Sequence, residues 1–177
     1  TEYWLSDYKW WNAELQALTK YIDDETAAVE GGNHKADNIM RLELEDDAAH
    51  VILGEDWHMP TTADVEELCA NCTWELITLN GVKGFKFTSK INGNSIFLPG
   101  AGYKYNNVFR LNDNDFGKYW TNDVCQGGCY YAESFHFETS AFNGVLIAGP
   151  GGQSRKDGMS IRPVKGNVIE VTSVSLS

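Results

Sequence analysis

Four cysteines are the residues best suited to bond-making chemistry in this chain, and they fall in two close pairs, Cys69-Ala-Asn-Cys72 and Cys125-Gln-Gly-Gly-Cys129. Paired thiolates are the usual ligands of a tetrahedral zinc site. The gap between these pairs is far longer than in a zinc ribbon, and neither pair sits in a Gly-rich knuckle with basic residues. Local or cross-linked disulfides would suit an exported protein. Cys69 and Cys72, three apart on a predicted helix, also suit plain buried thiols. Free or disulfide-bonded cysteines therefore rank above zinc. A thioredoxin-like site needs a strand before its C-x-x-C and a helix after it. Here the helix comes first, so that redox chemistry is set aside. The histidines are scattered, with His34 in a loop, His50 on a helix, His58 in a turn and His136 on a strand. No Ser-His-Asp set has a local signature. The expectation is a chain without catalytic residues, metal or cofactor.

Composition narrows the partners. Over 177 residues, 14 Lys+Arg against 25 Asp+Glu leave a formal charge of −11. A phosphate-binding surface needs clustered Lys and Arg, and no run of them occurs, so nucleic acid and anionic membrane are poor partners. No stretch approaches the ~18 apolar residues of a membrane-spanning helix. The length suits a single domain over 1–177, and six Trp argue against disorder.

The elements that must position these residues come in two grammars. Trp4, Tyr8, Trp11, Leu15, Leu18 and Ile22 recur at spacings of four and three, which predicts a helix over about 10–22. Gly31-Gly-Asn33 breaks the chain. A second helix is predicted over Leu42 to Leu53, with Leu44, Ala48, Val51 and Ile52 on one face and Gly54 as its stop. A third starts after Pro60, with Thr61 and Asp64 in a capping-box arrangement and Val65, Leu68, Cys69 and Cys72 as its apolar face. From Trp74 onward strands and turns take over. Asn80-Gly81 and Asn92-Gly93 are hairpin dipeptides. Residues 84–89, 95–98 and 132–137 read as strands, Gly149-Pro-Gly-Gly152 as a flexible loop, and residues 159–164 and 168–174 as closing strands. Helices first and antiparallel strands after them make an α+β domain.

Several segments carry a family resemblance. They are Leu42 to His50, Trp57-His-Met-Pro-Thr61, Glu66-Glu-Leu68, Asn71-Cys-Thr-Trp74, Thr88 to Pro99, Ala101-Gly-Tyr103, Tyr119-Trp120 and Ser160-Ile-Arg-Pro-Val164. In order and spacing they resemble the Fibrobacter-type major paralogous domain of gut Bacteroidales surface proteins. The stretch from Asp46 to Leu68 is also similar to the formylglycine-generating-enzyme family. Both families share the C-type lectin fold. The resemblance implies two main helices packed on a twisted antiparallel sheet with long loops. Its core covers 42–164. It makes 1–41 an irregular lead-in, where periodicity keeps a helix, and leaves 165–177 as an extra C-terminal strand or tail.

The same resemblance implies a non-catalytic recognition module, exported to a cell surface or carried on a phage particle. Its partner would be an unknown protein or glycan, and its binding surface would lie in 121–157. That segment offers Thr121, Asn122, Asp123, Gln126, Tyr130, Tyr131, Glu133, His136, Glu138, Ser140, Asn143, Gln153, Arg155 and Lys156. Mixed aromatic and polar side chains on a rigid scaffold suit recognition. Trp120, Phe135, Phe137 and Met159 are assigned to the core. Some relatives of the fold are variable proteins of diversity-generating retroelements, which alter codons in such a segment. Two alternatives stand. One is a metal-dependent oxidoreductase of the formylglycine-generating type, using Cys125 and Cys129, although these lie outside that family's motif. The other is a calcium-dependent carbohydrate binder. Trp120-Thr-Asn122-Asp123 is similar to the lectin Trp-Asn-Asp calcium motif but has an inserted Thr, and the partner motif is absent. Asp113, Asp115 and Asp123 are its candidate ligands.

Overall fold

The fold is known from a computed structural model, which describes residues 8–15, 17–24, 35–105, 108–110, 116–125, 130–139 and 146–166. The predicted helix over 10–22 is not there. Strands β1 (Trp11–Asn12) and β2 (Ala17–Leu18) form a small hairpin instead, with Trp11 opposite Leu18. Asn12 explains the turn, because its side-chain oxygen accepts from the backbone N–H groups of Glu14 and Leu15 and so competes with helix formation. The apolar residues then enter the core in twos, Ala17 with Leu18 and Tyr21 with Ile22, while Leu15 is exposed. The Asp37 carboxylate accepts from the N–H groups of Tyr21 and Ile22 and anchors the lead-in. Trp4, Gly31-Gly-Asn33 and His34 lie outside the described residues.

Helix α1 is shorter than predicted and spans Ala48–Leu53. Asp47 stops it from starting earlier, because its carboxylate caps the N–H groups of Ala49 and His50. The expected apolar face does not form. Ala49 is the buried residue of this helix, and Leu44, Val51, Ile52 and Leu53 are exposed. Strand β3 (Trp57–His58) follows.

Helix α2 (Thr62–Asn71) starts where predicted, but Cys72, expected on its apolar face, is extended and begins the next strand. Thr61 Oγ1 accepts from Asp64 N at 3.0 Å, and the Asp64 carboxylate accepts from Thr61 N at 2.8 Å. Val65 is buried, and Leu68 and Cys69 pack on the core beside it. The helix runs without a loop into β4.

Strands β4 (Cys72–Leu79), β5 (Val82–Ser89) and β6 (Ser95–Pro99) form one antiparallel sheet. The β4–β5 turn is Asn80-Gly81 with both φ positive, at 50° and 81°. This is the twist that a two-residue hairpin requires. Strands β7 (Tyr103–Tyr105) and β8 (Val108–Arg110) make a second small hairpin.

Strands β9 (Phe116–Val124), β10 (Tyr131–Thr139) and β11 (Leu146–Ser154) form another antiparallel sheet with β10 in the middle. Gly149 to Gly152, expected to be a loop, lies inside β11 and pairs with His136 to Glu133. Because β11 is an edge strand, Pro150 can lack its N–H without breaking an inner ladder. The glycines leave room for neighbours. A Cβ on Gly151 would sit 2.9 Å from the His136 ring, and one on Gly152 would sit 2.9 Å from Cys125 Sγ. Of the predicted closing strand 159–164, only Val164 belongs to a strand, β12 (Val164–Lys165), which pairs with β3. Ser160 joins Tyr119 through a single bridge. The predicted strand over 168–174 lies outside the described residues.

The core lies between the two three-stranded sheets and α2. Val65, Cys72, Phe85, Phe87, Leu98, Tyr119, Phe135 and Phe137 form one buried cluster. Phe137 reaches Phe85 across the two sheets at 4.7 Å between ring centroids. The architecture is α+β and mostly sheet, with two helices described. No helix among the described residues is long and apolar enough to cross a membrane.

Candidate functional site

Alternation along β10 sends Phe135 and Phe137 into the core and His136 and Glu138 to the opposite face. The ladder with β9 sets Lys118 opposite His136 and Phe116 opposite Glu138. The β7–β8 hairpin stands beside this face. Tyr103 meets Phe116 edge to face at 5.9 Å, and Lys118 Nζ lies 4.4 Å from the Tyr103 ring centroid. Tyr105 has two cations over it, Arg110 at 5.9 Å and Lys156 at 5.7 Å. The result is an open recess of about 380 Å3 lined by Tyr103, Tyr105, Arg110, Phe116, Lys118 and Glu138.

The floor is a polar chain. Lys118 donates to Gln153 Oε1, and Gln153 donates to the buried Asp157 carboxylate. Asp157 Oδ1 is buried without a partner among the described residues. Burial lowers the Lys118 pKa against the opposing pull of Asp157 and Glu138. Burial, and then the Lys118 charge, lowers that of His136. Burial raises that of Asp157, although Gln153, Lys156 and Lys118 oppose the shift.

Of the expected site residues, Glu138 lines this recess, Lys156 lies over Tyr105, Gln153 accepts from Lys118, and His136 stands opposite Lys118 on the ladder. Others belong to the scaffold. Thr121 Oγ1 donates to Glu133 O at 2.8 Å. Asn122, 2% exposed, donates through its N–H to Pro60 O and accepts at its carbonyl from Leu42 N. Asp123 accepts from Arg41 Nε and from Thr62 N, both at 2.7 Å, so it ties the lead-in to the start of α2. Arg155 is buried and donates to Tyr131 O and Tyr21 O. Tyr130 packs against Trp11, Tyr131 is exposed, and Glu133 bonds the Cys125 thiol. Gln126, Ser140 and Asn143 lie outside the described residues.

Tyr103, Tyr105, Arg110, Phe116 and Lys118 are absent from the sequence-based site because they precede residue 121. The alternating Tyr103-Lys-Tyr105 and Phe116-Gly-Lys118 were the available signal. A second cleft of about 410 Å3 lies elsewhere, walled by Trp10, Leu42, Val51, Ile52, Met59 and Trp120. Thr121, Asp123 and Arg155 reach its lining with polar groups already engaged in the bonds above.

Three other chemistries meet physical tests. Cys69, Cys72 and Cys125 are free thiols, and Cys129 lies outside the described residues. Burial and the neighbouring Glu133 push the Cys125 thiol up to about 12, so it is protonated at neutral pH and lacks thiolate reactivity. For calcium, Asp123 is committed to Arg41 and Thr62, and Asp113 and Asp115 are outside the described residues. The carboxylates of Glu43, Glu45 and Asp46 also converge, but Lys20 stands among them. Its Nζ lies 2.8 Å from Asp46 and 3.6 Å from Glu45 and also contacts Glu43. Lys9 adds a bond to Asp46 at 2.5 Å. Two ammonium groups thus already sit among the three carboxylates and offset most of their charge.

Burial by itself would raise the Asp46 pKa. Hydrogen bonds from Lys20, Lys9 and Tyr21 outweigh it and hold the group at about 2, against 3.8 for the free side chain. A depressed folded-state pKa stabilises the fold above the unfolded value, and that contribution fades as pH falls from about 4 to about 2. The melting temperature of Asp46→Asn is therefore expected below wild type at pH 7, with the gap closing near pH 2. A gap unchanged across this range would contradict the assignment.

Comparison of the chain with protein-family models, curated proteins and solved structures gives no match. The functional reading accordingly rests on the geometry of the site.

Proposed function

We propose that this chain is a non-catalytic ligand-recognition module of C-type-lectin-like fold, belonging to an exported or surface-displayed bacterial or phage protein. The observation that carries this reading is the recess on the β9–β10–β11 sheet. There, aromatic, cationic and acidic side chains project from paired strands whose other face is a closed aromatic core. Strands hold such groups in place at small entropic cost, which favours binding. The protonated Cys125 thiol weighs against the oxidoreductase alternative. The α+β, mostly sheet architecture with two helices among the described residues is consistent with the fold proposed. The segment 121–157, which brings Glu138 and Lys156 to the recess, is a candidate for diversification by a retroelement. Sequences of this locus from several isolates should then differ mainly within 121–157, and uniform drift would overturn that part of the reading.

The test of recognition uses exposed and half-buried residues. Labelled domain is presented to fixed bacterial cells and to an immobilised glycan panel, and bound label is measured. The triple variant Tyr105→Ala/Glu138→Ala/Lys156→Ala should keep its melting temperature and lose at least about tenfold in binding, as expected when a contact cluster is truncated. Unchanged binding by the folded variant would move the surface elsewhere. No binding by wild type to any probe would overturn the reading.

A further inference from the structure

The recess has an unusual charge for this chain. The protein carries −11 overall, yet three cations, Arg110, Lys118 and Lys156, converge on Tyr103 and Tyr105. None of the three is in an ion pair among the described residues. The tyrosine faces hold the cations in place, so less side-chain freedom is left to lose when an anion arrives. Burial has already stripped water from the Lys118 ammonium and lowered its pKa, and a bound anion would restore what burial removed. Arg110 presents the planar fork that matches a carboxylate.

Glu138 narrows the ligand further. It lines the same recess as Arg110 and Lys118, so a ligand that is only acidic meets a like charge there. A ligand that carries hydroxyl groups beside its acid instead gives Glu138 hydrogen bonds to accept. The tyrosine hydroxyls can donate to and accept from such hydroxyls. A recess of about 380 Å3 falls within the usual range of small-molecule sites.

Resting on the recognition reading above, we propose that this recess binds the carboxylate-bearing ring of an acidic sugar, a uronic or sialic acid residue of a glycan. Arg110, Lys118 and Lys156 meet the carboxylate, Glu138 accepts from ring hydroxyls, and no calcium takes part.

The test is titration calorimetry in EDTA with oligogalacturonate and with sialyllactose. The controls are the carboxyl-reduced oligogalacturonate and a polyglutamate peptide. Binding of at least one acidic sugar is expected, weakening as salt rises. The charge-neutral control should bind at least about tenfold more weakly, the loss expected for a charge-assisted contact. Arg110→Ala/Lys156→Ala should weaken the sugar by a similar factor. Glu138→Gln should weaken the sugar while leaving polyglutamate no weaker. Polyglutamate binding as tightly as the sugars would overturn the sugar class and favour an acidic peptide. Binding lost in EDTA and restored by calcium would overturn the calcium-free mode, and indifference to Arg110→Ala/Lys156→Ala would overturn the site. If neither acidic sugar binds but the domain still labels cells through Tyr105, Glu138 and Lys156, this inference fails and the recognition reading survives. If cell labelling is absent as well, both fail.

Discussion

Asp47→Ala is expected to lower the unfolding free energy by roughly 2–5 kcal/mol, because a cap and a buried bond network are lost together. Asp47 is fully buried. Its Oδ1 accepts from Ala49 N at 2.9 Å and His50 N at 3.1 Å. Both carboxylate oxygens also accept from Met59 N, at 3.0 and 2.9 Å. One side chain therefore starts α1 and ties it to Met59, which follows β3 and leads into α2. Alanine would strand these donors away from water. Asp47→Asn keeps one carbonyl acceptor and should recover part of the loss. Urea unfolding followed by tryptophan fluorescence measures both variants. A loss in Asp47→Ala below about 1 kcal/mol would mean that water or a shifted backbone replaces the carboxylate.

Phe137→Ala should cost about 3–5 kcal/mol, the range for removing a large buried aromatic side chain. The Phe137 ring is fully buried and touches Phe85, Phe87, Tyr119 and Phe135 at centroid distances of 4.7–6.2 Å. Gly117 makes room for it, since a Cβ there would lie 2.4 Å from Phe137 Cζ. On the same strand, Glu138→Ala is expected within about 0.5 kcal/mol of wild type because its side chain is exposed. Parallel thermal melts check the contrast. Equal losses at 137 and 138 would contradict the strand's two-faced register.

How much of this was legible depends on the range of the interaction. The capping box of α2 could be read because its partners, Thr61 and Asp64, are three residues apart. The Asn80-Gly81 hairpin could be read because the turn needs positive φ at both positions. The inward turn of Phe135 and Phe137 could be read from alternation. The lead-in misled because its apolar spacing fits a helix, while the Asn12 side chain competes for the N–H groups that helix would use. The glycines of β11 look like a loop until His136 and Cys125 are placed beside them.

The candidate site divides along the same line. His136, Glu138, Gln153 and Lys156 came from residue type and segment, and they meet in space. Tyr103, Tyr105, Arg110 and Lys118 join them only because the β7–β8 hairpin lies against β9. Arg155 looked like a ligand contact, yet it donates to the carbonyl of Tyr21, 134 residues away.

The sequence by itself determined the change to strands after the second helix, the α2 cap, the tight hairpin and the aromatic face of β10. Each of these depends on atoms a few residues apart. Only the tertiary structure decided which polar side chains are buried and which remain available. Burying a polar group is tolerable where distant backbone supplies its partner. That condition made Asp47 and Arg155 parts of the scaffold and left the Tyr103–Tyr105 recess with three cations and no ion pair among the described residues.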